Sequence, residues 1–523
     1  MKKKIISWWF VLLILGCFVM SMSTFAAETT PPDNNPLFPV SKYGLIGYMD
    51  LTGKVVIKPQ YQNGGEFFQG LAGVKDYDEK TASFQWGYID KTGKMVIPLK
   101  YEKVYAFEKE GVAIVKLPVE QGGKFSLIDK NGQLVTNRTF DDIYGFDNGI
   151  TSVVLNGKHG IIDKAGRLLV EPKFDYLYWY TEGLAIVNIG GKTDEDGEFS
   201  GGKWGYLDRN GKVVITPRYD NAYSFNEGMA VVVINGKTGV IDKQGNLVLE
   251  PKYYDVDAFQ NGIARVQIVG TPDREGNPTG GKWGIVDKSG RFIVTPRYDM
   301  IRIEQGNLIA VRLGKKWGYI DRSGRNVVEP KYDDAYGVNE GLALFNIGGE
   351  RDEDDLLSGG KWGFVDETGK VVIKPIFDDA FNFSEGLAAI IINDRWGVID
   401  KTGAMIVAPE YDHINNFKDS VTIARIDKKK GLLSKTGKLL VPAKFDYILD
   451  FEGEWALVNS GGSSDNDGNV NGGKWGYINK NGKVIEPQYD DAEQFKNGLA
   501  KVYRGDRWGY IDRNGKFVWE PSK

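Results

Sequence analysis

The chain has one cysteine, Cys17, and two histidines, His159 and His413, among 523 residues. Disulfide frameworks, Cys/His zinc sites and thiol or imidazole nucleophiles therefore begin without their usual residues. No G-x-S-x-G, H-E-x-x-H, C-x-x-C or G-x-x-x-x-G-K-[ST] occurs, which removes the common hydrolase, metalloprotease, redox and phosphate-loop signatures. A basic excess is missing as well: 66 Lys and Arg against 70 Asp and Glu give a net charge of −4. Nucleic-acid affinity comes largely from phosphate neutralisation, so no nucleic-acid partner is expected, and anionic lipid is a poor surface for the same reason.

Long hydrophobic runs are missing too, except between Ile5 and Met20, after Lys2, Lys3 and Lys4. At about 16 apolar residues this run is short for a spanning helix. Residues 1–26 read as a secretory signal, with Thr24 and Ala26 at the small-residue positions of a cleavage site. Ile14-Leu15-Gly16-Cys17 supports a rival reading as a bacterial lipobox with Cys17 lipidated, although Phe18, Val19 and Met20 prolong the apolar run. The expected location is secreted or on the extracellular surface, or else as a lipoprotein on the outer face of the membrane; no membrane span is expected. Loss of the three lysines takes the net charge from −4 to −7. Residues 27–42, which include ETTPPDNNPLFP, read as a proline-rich linker.

What the chain has in abundance is repetition. Lys203 to Asp220 reads KWGYLDRNGKVVITPRYD, Lys361 to Asp378 reads KWGFVDETGKVVIKPIFD, and thirteen such hairpin cassettes follow one another. Self-similarity at a period of tens of residues marks a repeat architecture whose units share their apolar faces. In Trp86-Gly87-Tyr88-Ile89-Asp90 alternate residues face opposite ways, as in a strand. Asp90 opens a D-K-T-G turn with Gly93 at the left-handed position, and the next strand stops at Pro98. The turn residue is Asp in eleven units and Ser434 or Asn479 in the others, which marks it as a turn-former. The ring of the W-G pair is expected to fill the seam between units, its N–H bonded. A Tyr/Phe-Asp step, an aromatic, an E-G or N-G turn and a Leu-Ala-x-Val strand complete three or four strands per unit.

The W-G glycines Gly205, Gly239, Gly284, Gly318 and Gly363 lie 34, 45, 34 and 45 residues apart. The long step inserts a Gly-flanked acidic segment before K-W-G, as in NIGGKTDEDGEFSGGKWG, which reads as a protruding hairpin tip. Asp465, Asp467 and Asn469, with Asp194 and Asp196 in a second tip, partly match a calcium loop without its terminal bidentate Glu. No other cofactor is expected. Trp179 and Trp455 stand outside the W-G slots and are the candidate ligand-contacting rings. Paired carboxylates such as Asp141-Asp142, Asp333-Asp334, Asp378-Asp379 and Asp490-Asp491 recur at one repeat position, and that argues against a catalytic pair, which is normally unique. No catalytic residue is assigned.

The W-G-[YF]-[IVL]-D-x-x-G-K-x-[VI]-I-x-P cassette resembles the WG-repeat family of bacterial proteins, over about Tyr43 to Pro521. The resemblance implies an all-β array of propeller-like blades and a binding or scaffold role, and it supplies no catalytic residue. Two rings of about six blades are expected, over 43–281 and 282–523, with an open β-solenoid as the rival. The expected function is non-enzymatic binding of protein or cell-envelope polysaccharide. The alternative is a glycan-processing enzyme using carboxylates in a propeller channel.

Overall fold

The computed structural model describes residues 35–195, 198–268, 271–272, 278–352, 354–465 and 469–522. The expected signal, Cys17 and the linker as far as residue 34 lie outside that set, as do Asp196 and Asp467. The described residues form thirteen consecutive antiparallel sheets, blades 1–13, of which blades 1 and 3 have three strands and the rest four. The blades span 38–61, 63–101, 103–129, 142–174, 176–219, 221–253, 255–298, 300–332, 334–377, 379–411, 413–445, 447–489 and 491–522. A further two-stranded ribbon pairs Thr271–Pro272 with Pro278–Thr279.

Blade 6 shows the plan: a short strand a, Asn221–Ala222, then b, Met229–Ile234, c, Lys237–Asp242, and d, Leu247–Tyr253, hydrogen-bonded in that order. The a–b and c–d turns therefore lie on one rim, and the b–c turns lie on the other with the links between blades. In blade 5 the turn aspartate, Asp208, accepts the Asn210 and Lys212 amides at 2.9 Å, and Gly211 follows with φ +81°. That is the type of turn expected of D-x-x-G.

W-G and I-x-P prove to be two halves of one bulge. Trp204 pairs with Tyr219 but Tyr206 with Ile215, so two steps on c face four on d. The extra backbone presses on Gly205, where a Cβ would sit 2.4 Å from the Ile215 carbonyl and 2.6 Å from the Pro217 nitrogen. Proline is accommodated because its missing N–H falls where the ladder is interrupted. Blade 3 has Ser126 at the glycine position and Arg138 at the proline position, and its fourth strand does not form. The buried Ser126 hydroxyl donates instead to the Arg138 carbonyl at 3.3 Å.

Blades stack face to face. Leu184, Ile186, Tyr206, Ile215 and Tyr219 of blade 5 enclose Ala222, Phe225, Ala230, Val232 and Ile241 of blade 6. The Tyr206 and Phe225 rings meet edge to face at 4.8 Å. One such cluster fills each seam from blade 1 to blade 13. A thirteenth joins Phe38, Val40 and Met49 of blade 1 to Leu499 and Tyr510 of blade 13. The circuit closes, so the architecture is the propeller and not the open solenoid. The expected division into two rings is corrected by the packing. The 281/282 boundary falls inside blade 7, between the paired strands Ile263–Gln267 and Trp283–Asp287, and no earlier seam is left open to close a smaller ring.

W-G rings do sit at seams: Trp317 is fully buried, and Trp86, Trp204, Trp283, Trp396 and Trp508 pack half-buried against seam clusters. The expected N–H bond is not general, since Trp317 Nε1 has no partner among the described residues and the Arg302 guanidinium lies 4.1 Å over its ring.

The Tyr-Asp aspartate clips neighbours together. Asp446 accepts Lys429 of blade 11 at 2.6 Å and the Gly461 amide of blade 12 at 2.8 Å, and Asp299, Asp333, Asp378 and Asp490 repeat the arrangement. On the opposite rim Glu227 accepts the Asn261 and Gly262 amides of the next a–b turn, at 2.6 and 2.8 Å. The clip bonds hold Asp446 below its ordinary range, through the Gly461 amide and Lys429, and within a D-x-x-G turn the Thr368 hydroxyl does the same for Asp366. At Asp321 burial works the other way, but bonds from Ser323 and Arg325 override it and hold the group at about 2.

A depressed carboxylate stabilises the fold above its unfolded pKa and loses that contribution as pH falls through the folded one. Thermal unfolding midpoints should therefore drop steeply between about pH 4 and pH 2, with proton uptake on unfolding. A midpoint that is flat across that window would contradict the clips.

Candidate functional site

The b–c rim carries the tips. In blade 5 strands b and c run on as one hairpin, Leu184–Thr193 with Phe199–Asp208. At its base Asn188 is fully buried; its Oδ1 accepts the Gly191 amide at 3.0 Å and its Nδ2 donates to the Gly201 carbonyl at 3.1 Å. A Cβ on Gly202 would lie 2.2 Å from that Oδ1, which explains the GG…GG frame. Asn459 repeats the device with Gly462 and Gly472, and Asn346 with Gly359, in blades 12 and 9. A further tip, Leu71–Asp78 with Ser83–Asp90 in blade 2, escaped sequence reading because no GGK frame announces it.

The candidate calcium ligands begin tip turns. Asp194 Oδ1 accepts the Glu198 amide, and Asp465 accepts the Asn469 amide, both at 2.8 Å. Asn469 Nδ2 and Asn471 Nδ2 donate to Asp465 Oδ2, at 3.3 and 3.0 Å. Among the described residues Asp465 thus accepts from amides of Asn469 and Asn471. Among the described residues no group of three or more His, Cys, Asp or Glu side chains is placed to hold a metal ion. The paired carboxylates are both engaged in the scaffold: Asp378 is a clip, and Asp379 accepts its own neighbour's amide, Ala380, at 2.8 Å.

Trp455 and Trp179 have opposite fates. Trp455 is 5% exposed inside the blade 12–13 seam, its ring 5.0 Å from Phe495, so its faces are spent on packing. Trp179 is 50% exposed beside a crevice of about 10 Å³, roughly the space of one water. The rings that assemble are its neighbours. Tyr176 lies 4.7 Å from Tyr178, 4.9 Å from Phe199 and 5.8 Å from His159. Trp204 adds contacts to Tyr178 at 6.0 Å and Phe199 at 5.7 Å, and Tyr144 stacks on His159 at 6.4 Å with 12° between planes.

Six rings thus form one platform across blades 4 and 5, at the foot of an acidic tip. Tyr144 and Tyr178 are the accessible ones, 40% and 37% exposed. Burial lowers the His159 pKa, against the pull of Asp175, so its imidazole is neutral near pH 7. Burial raises Tyr144 and Tyr178, so their hydroxyls stay protonated donors. Apart from the stacked Tyr144–His159 pair the rings are tilted or edge-on to one another, by 34° to 71°, so the cluster offers the Tyr144 and Tyr178 rings, with their neutral hydroxyls, as separate contact points for partly apolar ligands. The usable signal in the sequence was the YLYWY run; the partners Tyr144 and Phe199 emerge only once blades are stacked.

A family model described as "WG containing repeat" matches thirteen segments: 46–80, 86–117, 125–158, 160–192, 204–237, 239–270, 283–317, 317–350, 362–396, 396–429, 431–462, 475–508 and 508–521. No curated protein matches the chain. Among solved structures, the crystal structure of a eukaryotic initiation factor is similar at 11% identity over 73% of this chain and 94% of that one, with a TM-score of 0.33. The WD40 domain of Neurospora crassa Pan2 is similar at 12% identity over 41% and 75%, with a TM-score of 0.19. At these TM-scores neither bears on the reading below.

Substituting Asn188→Ala should strand the Gly191 amide and the Gly201 carbonyl, at a cost of about 1–3 kcal/mol. Amide exchange in Gly190–Thr193 should speed up while the seam strands stay protected. Unchanged exchange there would show that the asparagine does not hold the tip.

Proposed function

The chain belongs to the WG-repeat family, and on that premise we propose that it is an exported, non-enzymatic scaffold that binds cell-envelope polysaccharide at the blade 4–5 platform. The observation that carries this reading is the six-ring cluster, with Tyr144 and Tyr178 exposed at its surface. Sugar rings present C–H faces that stack on aromatic faces, and their hydroxyls need the donors and acceptors that tyrosines supply. The acidic tip beside the platform (Asp194, Glu195, Glu198) favours neutral or amine-bearing sugars over acidic ones. Export is supported by the lysine-led apolar N-terminus, whether residues 1–26 are removed as a signal or Cys17 is lipidated. Among the described residues no helix is long and apolar enough to cross a membrane. Absence of turnover is supported by the engagement of the paired carboxylates within the scaffold.

The test is titration with soluble wall and capsule fragments, followed by tryptophan fluorescence. Saturable binding is expected, and Tyr178→Ala should weaken it by about tenfold, or about 1.4 kcal/mol. Trp179→Ala should leave it unchanged. Binding indifferent to Tyr178, or released sugar in the same assay, would contradict the proposal.

A further inference from the structure

The blade 4–5 platform continues in both directions along strand a. Tyr105, Tyr144, Tyr178 and Tyr223 stand two residues after the start of that strand in blades 3, 4, 5 and 6. Three of the four backbones are held alike. The Tyr105, Tyr144 and Tyr223 amides donate to the Ile114, Ser152 and Val231 carbonyls of strand b at 3.1, 3.1 and 3.0 Å. Their own carbonyls each accept a hydroxyl, from Tyr88, Thr151 and Tyr206, at 2.7, 2.7 and 2.8 Å. A backbone fixed at both groups sends its side chain the same way in each blade, so the tyrosines form a row with one ring per blade. Face-packed sheets lie about 10 Å apart, which puts roughly 30 Å between the first ring and the last. The Lys103 ammonium lies 4.6 Å over Tyr105 and His159 stacks on Tyr144, yet all four rings remain 37–48% exposed.

The row has definite ends. The same position holds Gly65 in blade 2 and Asp257 in blade 7, where the Arg265 guanidinium pairs with the carboxylate. Aromatics return in blades 9 and 10, but both are half-buried: Tyr336 lies 4.3 Å from the Arg302 guanidinium, and Phe381 stacks on Trp396 at 4.7 Å. Ionic groups at the three links within the row cancel in pairs, Lys124 with Asp141, Lys158 with Asp175 and Lys203 with Asp220. Strand a is a sheet edge, but it is guarded against an incoming strand. The Ile143 amide in blade 4 and the Ala222 amide in blade 6 are taken by the side chains of Asp142 and Asn221, both at 2.9 Å. An extended peptide would find those donors occupied, and the tyrosine side chains are what the row has to offer.

Resting on the polysaccharide reading of the platform, we propose that the row is a track for a linear, neutral glycan chain laid across blades 3 to 6, with one contact ring per blade. The platform is then the middle of a longer site whose outer contacts are Tyr105 and Tyr223. Sugar C–H faces pack on the exposed rings, and the phenol hydroxyls exchange hydrogen bonds with sugar hydroxyls. The paired charges at the links leave little to attract an acidic chain. Only a chain several sugars long reaches from one end of the row to the other. Each ring engaged by a chain already bound elsewhere on the row gains from a high effective concentration, so affinity rises with chain length.

Soluble wall and capsule fragments sorted by length, titrated into the full chain and read by calorimetry, test the track. Octasaccharides and longer chains are expected to bind about tenfold or more tighter than disaccharides. Tyr105→Ala and Tyr223→Ala, at exposed positions outside the six-ring cluster, should each weaken long-chain binding by about fivefold. Leu449→Ala, at the same position in blade 12, should leave it unchanged. Equal affinity for long and short fragments, or long-chain affinity indifferent to both tyrosine substitutions, overturns the track. If Tyr178→Ala still weakens binding in that case, the platform reading survives without it. No binding at either length overturns both. Capture of a proline-rich peptide with no fragment bound would assign the row to a protein partner and overturn the track as well.

Discussion

Every blade in this molecule has two apolar faces, and both must be covered. Burying a Leu, Ile or Phe side chain contributes about 1.5–3 kcal/mol, so an open face of five forfeits on the order of 10 kcal/mol. That is comparable to the whole stability of a folded domain. Terminal caps or closure are the two remedies, and this chain closes. Phe38, Val40 and Met49 cover the face that Leu499 and Tyr510 would otherwise present to water. Phe38 of blade 1 meets Tyr510 edge to face at 5.5 Å, as Phe225 meets Tyr206 in the seam of blades 5 and 6.

The polar positions of the repeat serve the same stacking. A buried face aligns blades only loosely, because hydrophobic contact is non-directional. The Lys–Asp–amide clip on one rim and the Glu–amide latch on the other fix the angle between neighbours. Most recurrent carboxylates are thereby engaged in architecture. The tips and the aromatic platform fall outside that network, and there the blades differ from one another.

The sequence made the cassette, its D-x-x-G turn, the seam tryptophans and the tips legible because each follows from local chemistry: a side chain accepting an amide two residues on, or a glycine at positive φ. Closure was not legible, since it depends on which faces meet after thirteen repeats. The two-ring expectation took the usual size of a propeller as its guide, and nothing local in residues 255–298 marks blade 7 as an interior blade. The W-G/I-x-P relation was hidden for a related reason, because Gly205 and Pro217 lie twelve residues apart and meet only across the c–d ladder. Of the candidate rings, the run containing Trp179 was the right neighbourhood, but alternation along the strand turned Tyr176 and Tyr178 to the platform and left Trp179 outside it. Trp455 broke the consensus only to fill a seam.

Zero-length carbodiimide coupling followed by mass spectrometry of the monomer tests closure most directly, through the Lys496 amine and the Glu66 carboxylate. A closed thirteen-blade ring predicts an intramolecular amide joining those two residues, which lie at opposite ends of the sequence and pair across the closing seam. Coupling of either group only to partners within its own end of the chain, or only between molecules, would show that blades 13 and 1 do not meet.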